Sequence, residues 1–420
     1  MLKRLRLKDF KSFVDEEVTL APLTLLVGAN ASGKSNFLDA VQFLRATHFD
    51  LDLAEILNGE QRDVPDAWPG IRGRAPEAAR VGTSSFTIES TWLVPSPDEL
   101  PETHDFHLGG QRDEITHSIT CQTEPHPRLD AESLSRGDQL LFTTGGALGR
   151  RIEVPWKPRF PSRGEEGAST VLLDAERTLL WTILGSTTLS APQIPSDVIQ
   201  AALGLSAAHG LISILDVKPE SMRGYGRRDG PLGREGKNVS GVLAQLCESA
   251  ETRRSLIDWL TELCAPELSG IDFIEVKELG EVMAVFIEGS GKRITIRSLS
   301  DGTLRFLGTL LALRTAPPGS TILLEELDAG LHPTRIRLLV EYLEAVTRER
   351  QVQVIATTHS PVLLQWLSPE TLRSSLVFGR VPEHEGTLVR RLGDLPHFDE
   401  VAQHKGIDEL FTTGWMEMAL

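Results

Sequence analysis

The sequence predicts an α/β protein built around a buried, mostly parallel sheet that carries a phosphate-binding loop. Three observations support that expectation. The octet Gly28-Ala29-Asn30-Ala31-Ser32-Gly33-Lys34-Ser35 fits the pattern G-x-x-x-x-G-K-[ST] and stands between an apolar run and a helical repeat, the context this pattern requires. The last third of the chain alternates near-continuous apolar strands with helices, as a sheet covered on both faces does. One of those strands, Thr321 to Leu324, ends in the adjacent carboxylates Glu325 and Glu326, where parallel sheets place their ligand crevices.

Taken in order, Leu5 and Leu7 alternate with basic residues in the first nine positions, which is the period of a half-buried strand. Leu23 to Val27 is an apolar strand that stops at Gly28, and Phe37, Leu38, Val41 and Leu44 then recur at helical spacing. From about residue 50 to 82 Pro and Gly recur, so loops with little core contribution are expected. Thr83 to Val94, Glu114 to Gln122 and Gln139 to Val154 read as an antiparallel sheet, and Ser169 to Leu215 as helices. Residues 222–237 mix Gly with Arg and predict a mobile basic loop, followed by a helix from Val239 to Cys264. Strands are expected at Ile271 to Val276, Val282 to Glu288 and Arg293 to Arg297, then a helix from Thr303, the strand ending at Glu325, a helix from Pro333 to Arg348 and the strand Val352 to Thr357.

Composition narrows the function classes. The chain has 420 residues, 43 Lys+Arg against 59 Asp+Glu and a net charge of -16, so its whole surface does not suit nonspecific coating of nucleic acid or anionic membrane. The odd, widely spaced cysteines Cys121, Cys247 and Cys264 suit neither a disulfide framework nor a zinc site, and a reducing cytoplasm is expected. No stretch reaches the roughly 20 apolar residues of a membrane span, and the basic start lacks a signal-peptide core. His104 and His107 lie in a polar segment without further ligands and read as surface loop.

The candidate site follows from the chemistry of phosphate. Glycines let consecutive N–H groups and a helix N-terminus face negative charge, Lys34 adds a point charge, and Ser35 is a Mg2+ ligand. Neighbouring side chains on a strand face opposite ways, so Glu325 can reach the metal while Glu326 polarises the attacking water. His359, in Thr357-Thr358-His359-Ser360-Pro361, falls at another strand end and can sense a γ-phosphate. Ser300 and Gly302 open the helix from Thr303, where orphan N–H groups either meet phosphate or are simply capped.

This order of motifs resembles the ATP-binding-cassette ATPases of the SMC and RecF type, and more narrowly the stand-alone bacterial ATPases with an AAA-type core that accompany nuclease or toxin genes. The resemblance covers about residues 1–50 and 290–370. It implies a P-loop NTPase with an ABC-ATPase head, a mixed sheet flanked by helices plus an antiparallel β subdomain, and a compact α-rich insertion. It divides the chain into head (1–95), insertion (96–265), head (266–395) and C-terminal tail (396–420). It further implies ATP and Mg2+ as cofactors, with nucleotide held by Gly28 to Asn36, metal by Ser35 and Glu325, and catalysis by Glu326 and His359. Ser300 and Gly302 would meet ATP on a second copy, giving a homodimer around two nucleotides, and Phe10-Lys11-Ser12-Phe13 makes Lys11 and Ser12 nucleotide-side candidates. Leu331-His332-Pro333 matches the family's Leu-His-Pro near the dimer interface.

Two departures are visible: Glu325 replaces the usual metal-binding aspartate, and Leu327 the usual proline, so slow hydrolysis is expected. Neither Gln42 nor Gln61 is a convincing match to the family's metal-linking glutamine. The implied function is an ATP-gated dimer in DNA surveillance, repair or antiphage defence, acting through a nuclease or toxin effector. The alternatives are a scaffold with little hydrolysis and a transporter's energy-coupling subunit. DNA contact would fall on residues 222–237 or on Arg150 to Arg163, which include Arg151, Trp156, Lys157 and Arg159.

Overall fold

The computed structural model describes residues 1–60, 67–95, 112–145, 147–156, 170–185, 193–228, 230–263, 268–381 and 384–420. Gln61, His104, His107, Lys157, Arg159 and Cys264 lie outside the described residues.

Alternation builds the first strand: in Leu2–Lys8, Leu2, Leu5 and Leu7 are buried while Arg4, Arg6 and Lys8 face water. It joins a six-stranded antiparallel sheet in the order Asp15–Thr19, Leu2–Lys8, Ser85–Pro95, Arg112–Gln122, Arg128–Arg136, Gln139–Thr143. Mostly apolar runs build the second sheet, in the order Ile212–Leu215, Thr321–Leu324, Gln353–Thr357, Leu23–Val27, Leu376–Gly379, Leu388–Arg391. Its first five strands are parallel and the last runs antiparallel. Because these strands are covered on both faces, Leu23–Val27, Thr321–Leu324 and Gln353–Thr357 are buried at every position.

The buried Gln353 side chain fastens the two sheets. Its amide accepts from Leu2 N (2.9 Å) and Thr321 Oγ1 (3.0 Å), and donates to Leu2 O (2.7 Å). A second polar joint links the P-loop helix Lys34–Ala46 to the antiparallel sheet. Thr47 Oγ1 donates to Leu44 O (2.7 Å), so it accepts from His209 Nδ1 (2.9 Å). The His209 ring stands 6.1 Å from that of His117, which bonds the buried Glu132 (2.8 Å). Burial, with His117 and His48 nearby, pushes the His209 pKa well below 6.5 and keeps the ring neutral.

Several expectations are corrected. The segment 50–82 contributes to the core: Asp52 and Glu55 form a capping box that starts the helix Leu53–Asn58, which buries Leu53, Ile56 and Leu57 alongside Trp68 and Ile71. The stretch read as helices from Ser169 holds strands Val171–Asp174 and Ile212–Leu215, with helices Leu179–Leu184 and Ser196–Gly210 between them. Residues 96–265 add strands at the edges of both large sheets. The basic loop is pinned rather than free: Gly226–Arg227 pairs with the strand Glu281–Glu288, Asn238 Oδ1 accepts from Gly233 N (2.8 Å), and Asn238 Nδ2 donates to Pro231 O (2.8 Å). The tail at 396–420 folds into short helices that bury Leu410 and Met416.

Candidate nucleotide site

The P-loop leaves Leu23–Val27 and enters the helix Lys34–Ala46, so its amides sit at a helix N-terminus at the carboxyl edge of the parallel sheet. Glycine is required by space as well as by conformation. At Gly28 (φ 144°) a Cβ would stand 2.2 Å from Phe378 O, and at Gly33 (φ 111°) 2.6 Å from Thr387 Oγ1. Ala31 takes the left-handed region at φ 62°. Lys34 is buried, and its ammonium donates to Gly28 O (2.7 Å) and Ala29 O (2.8 Å), with Ser32 Oγ at 3.5 Å. Burial lowers its pKa, an effect that Glu417 partly opposes. Ser35 is exposed at the mouth of the loop.

Neighbouring strands bring the acidic end alongside. Thr321–Leu324 pairs with Gln353–Thr357, which pairs with the P-loop strand, so Glu325, Glu326 and His359 follow adjacent strand ends. Glu326 is exposed in the left-handed region (φ 50°), and its N–H donates to Thr357 Oγ1 (2.9 Å). A non-glycine held in that conformation stores backbone strain, as residues at reactive sites do. His359 is exposed beyond Thr358, whose hydroxyl donates to Asp328 (2.6 Å).

Glu325 has a partner that the sequence did not reveal. Arg72 reaches it at 3.3 Å, and the same guanidinium donates to Ser35 O (3.0 Å) and to Asp39 Oδ1 (2.9 Å). Burial opposes the charge of Arg72, and Asp39 and Glu325 more than offset that, so its pKa is raised. Asp39, on the buried face of the P-loop helix, is also where Lys11 ends (2.5 Å). Lys11 therefore anchors Asp39 instead of turning to the P-loop. Ser12 and Asn36 bond each other (2.9 Å), and Thr387 lies 2.8 Å from Ser12 Oγ and 2.9 Å from Ser32 O, buttressing the loop. Asp216 follows Ile212–Leu215, in register with Thr321–Leu324, and lines the same cleft as Glu325. Gln42 is buried and lines that cleft too.

The signature segment stands apart. Ser300 Oγ accepts from Thr303 N (3.2 Å) and caps the helix Asp301–Thr315. A Cβ on Gly302 would stand 2.2 Å from Gly330 O, so that glycine is fixed by close packing within the chain. Among the described residues, no hydrogen bond of Ser300 or Gly302 reaches the P-loop.

Two family models match the chain: an AAA ATPase domain over residues 1–72, and an AAA domain described as putative AbiEii toxin, Type IV TA system, over residues 207–365. Both halves of the site fall inside them. AAA-type ATPase domain models thus match the chain on both sides of the site. It is 47% identical over 60 residues to a DNA replication and repair protein RecF of Thermosynechococcus vestitus, covering 13% of this chain and 16% of the relative. It is 22% identical over 395 residues to an OLD nuclease of Thermus scotoductus, covering 89% of this chain and 61% of that relative. The chromosome partition protein Smc of Rhodopirellula baltica is 27% identical over 167 residues, covering 38% of this chain and 13% of its own. The chain thus spans less than two thirds of each of these relatives. The SMC head domain from Thermotoga maritima is similar in structure at a TM-score of 0.42 and 14% identity, covering 93% of this chain and 98% of that one.

Proposed function

We propose that the chain binds ATP and Mg2+ at the P-loop and hydrolyses the γ-phosphate, with two copies closing around two nucleotides. The observation that carries this reading is Lys34, a buried ammonium whose hydrogen bonds among the described residues go only to neutral oxygens. Its missing partner is an anion, and the surrounding loop of N–H groups suits phosphate. Bound Mg2+-ATP supplies the transferable phosphoryl group and the cation that neutralises its charge. Lys34 and the loop amides then hold phosphate oxygens, the Ser35 hydroxyl and Glu325 hold the metal, Glu326 polarises water, and His359 meets the γ-phosphate. Arg72 holds one oxygen of Glu325 and leaves the other for a metal.

Ser300 and Gly302 present an open helix start whose remaining N–H groups suit a second copy's ATP. The names of the relatives, a repair protein and a nuclease, and the toxin description of one family model, support service in DNA surveillance, repair or defence through a nuclease or toxin effector. Direct DNA contact by the basic segments gains less support. Arg223 pairs with Asp301, Arg228 with Glu275, Arg150 with Glu176, and Trp156 packs in the core against Phe142. No helix among the described residues is long and apolar enough to cross a membrane.

Titration calorimetry with Mg-ATP tests the reading. Lys34→Ala should weaken binding by about tenfold or more, the worth of a charge-assisted contact. Equal affinity in the two proteins would overturn it.

A further inference from the structure

The last turn of the P-loop helix carries Arg45, a partly buried residue whose Nε is sealed from water without a hydrogen-bond partner. No carboxylate pairs with it among the described residues; its guanidinium lies 5.5 Å from the centre of the Phe49 ring, which stands 6.4 Å from Trp68. A half-buried arginine with a sealed, unpaired Nε is unusual, and more so in a chain with 59 acidic residues against 43 basic ones.

Arg45 lines a cleft of about 1630 Å³ that is also lined by the loop from Gly230 to Lys237. That loop places Arg234 and Lys237 in the same cleft, and Arg234 is fixed through its backbone, since Asp216 N donates to its carbonyl oxygen (2.9 Å). Neither basic side chain has an ion pair among the described residues, although Lys218 beside them is matched to Glu235. Burial, and then the charge of Arg234, lower the pKa of Arg45, so the two cations repel.

We propose that Arg45 and Arg234, with Lys237 at the rim, form a second anion site, distinct from the P-loop, that takes one phosphate group of a small phosphorylated molecule. Two guanidinium forks carry the charge and donor number that match a phosphate's near-double charge and three free oxygens better than a carboxylate's two. A nucleic-acid strand is disfavoured because Asp50, Glu60, Asp216 and Glu325 line the rest of the cleft and would repel a run of phosphates. The site uses the part of the basic loop that no carboxylate has neutralised.

The test is orthophosphate binding to the full chain with the P-loop filled by Mg2+ and a non-hydrolysable ATP analogue, and again in Lys34→Ala without nucleotide. The second arm keeps the result readable if the ATP reading itself fails. One saturable phosphate should bind in both settings, and Arg45→Gln and Arg234→Gln should each weaken it by about tenfold. Arg234 is exposed on its loop, so its variant folds even if Arg45→Gln does not. No phosphate beyond the P-loop, affinity unchanged by Arg234→Gln, acetate binding as tightly, or an oligonucleotide binding tighter than phosphate through the same arginines would each overturn the proposal.

Discussion

The P-loop end and the signature end of the candidate site contain similar ingredients, a glycine and a serine at a helix start, yet they are held in different ways. At the P-loop the glycines make room for neighbouring backbone, while Lys34, among the described residues, hydrogen-bonds only to neutral oxygens. At the signature, Ser300 is already an N-cap and Gly302 already a packing glycine. One end is incomplete without a ligand, whereas the other is satisfied within its own chain and offers only its remaining amides. The difference shows that a motif can be structurally explained and still face a partner, so only experiments that separate the two functions decide between them.

The largest effect expected is on turnover. Glu326→Gln should lower ATP hydrolysis about 100-fold or more while leaving ATP affinity unchanged, because it removes the water-polarising carboxylate; steady-state rates within threefold of wild type would reject that role. Gly302→Ala should cost about 1–3 kcal/mol in urea unfolding, since a Cβ at 2.2 Å from Gly330 O forces the backbone apart. Unchanged stability would mean that the glycine is kept for another reason. Acid sharpens the picture of the P-loop helix. His209 has a lowered folded pKa, so the unfolded chain binds its proton more readily, and this contribution to stability falls as pH drops below about 6.5, by up to about 1.4 kcal/mol per pH unit. Denaturation midpoints between pH 7 and 5 should track that slope in wild type and lose much of it in His209→Phe. Ser300→Ala should cost about 1 kcal/mol through the lost cap. If it costs nothing more, and ATP-driven association survives, the serine is a cap alone.

Residues that act through local sequence were legible, and those that act through the fold were not. The P-loop, the acidic strand end, His359 and the strands that carry them were read from spacing, because each needs only its own neighbours along the chain. Arg72 and Asp39 were missed because their partners lie as far away as Glu325, and nothing local marks an arginine after Ile71 as a site residue. The same blindness sent Lys11 toward the nucleotide when its ammonium belongs to Asp39. Asp216 was hidden because Ile212–Leu215, a short, mostly apolar run following a helix, read as that helix's continuation; the Gly210 before it was the available signal. The helix at Leu53–Asn58 also had a signal, the Asp52-x-x-Glu55 box, overshadowed by the Pro and Gly that follow it.

The central claim is that ATP joins two copies through the P-loop of one and the signature of the other. Light scattering of Glu326→Gln, with and without Mg-ATP and beside Lys34→Ala, tests it most directly. The account predicts a monomer mass near 46.2 kDa that doubles with ATP in Glu326→Gln and stays single in Lys34→Ala. A mass that ignores ATP in every variant would contradict it.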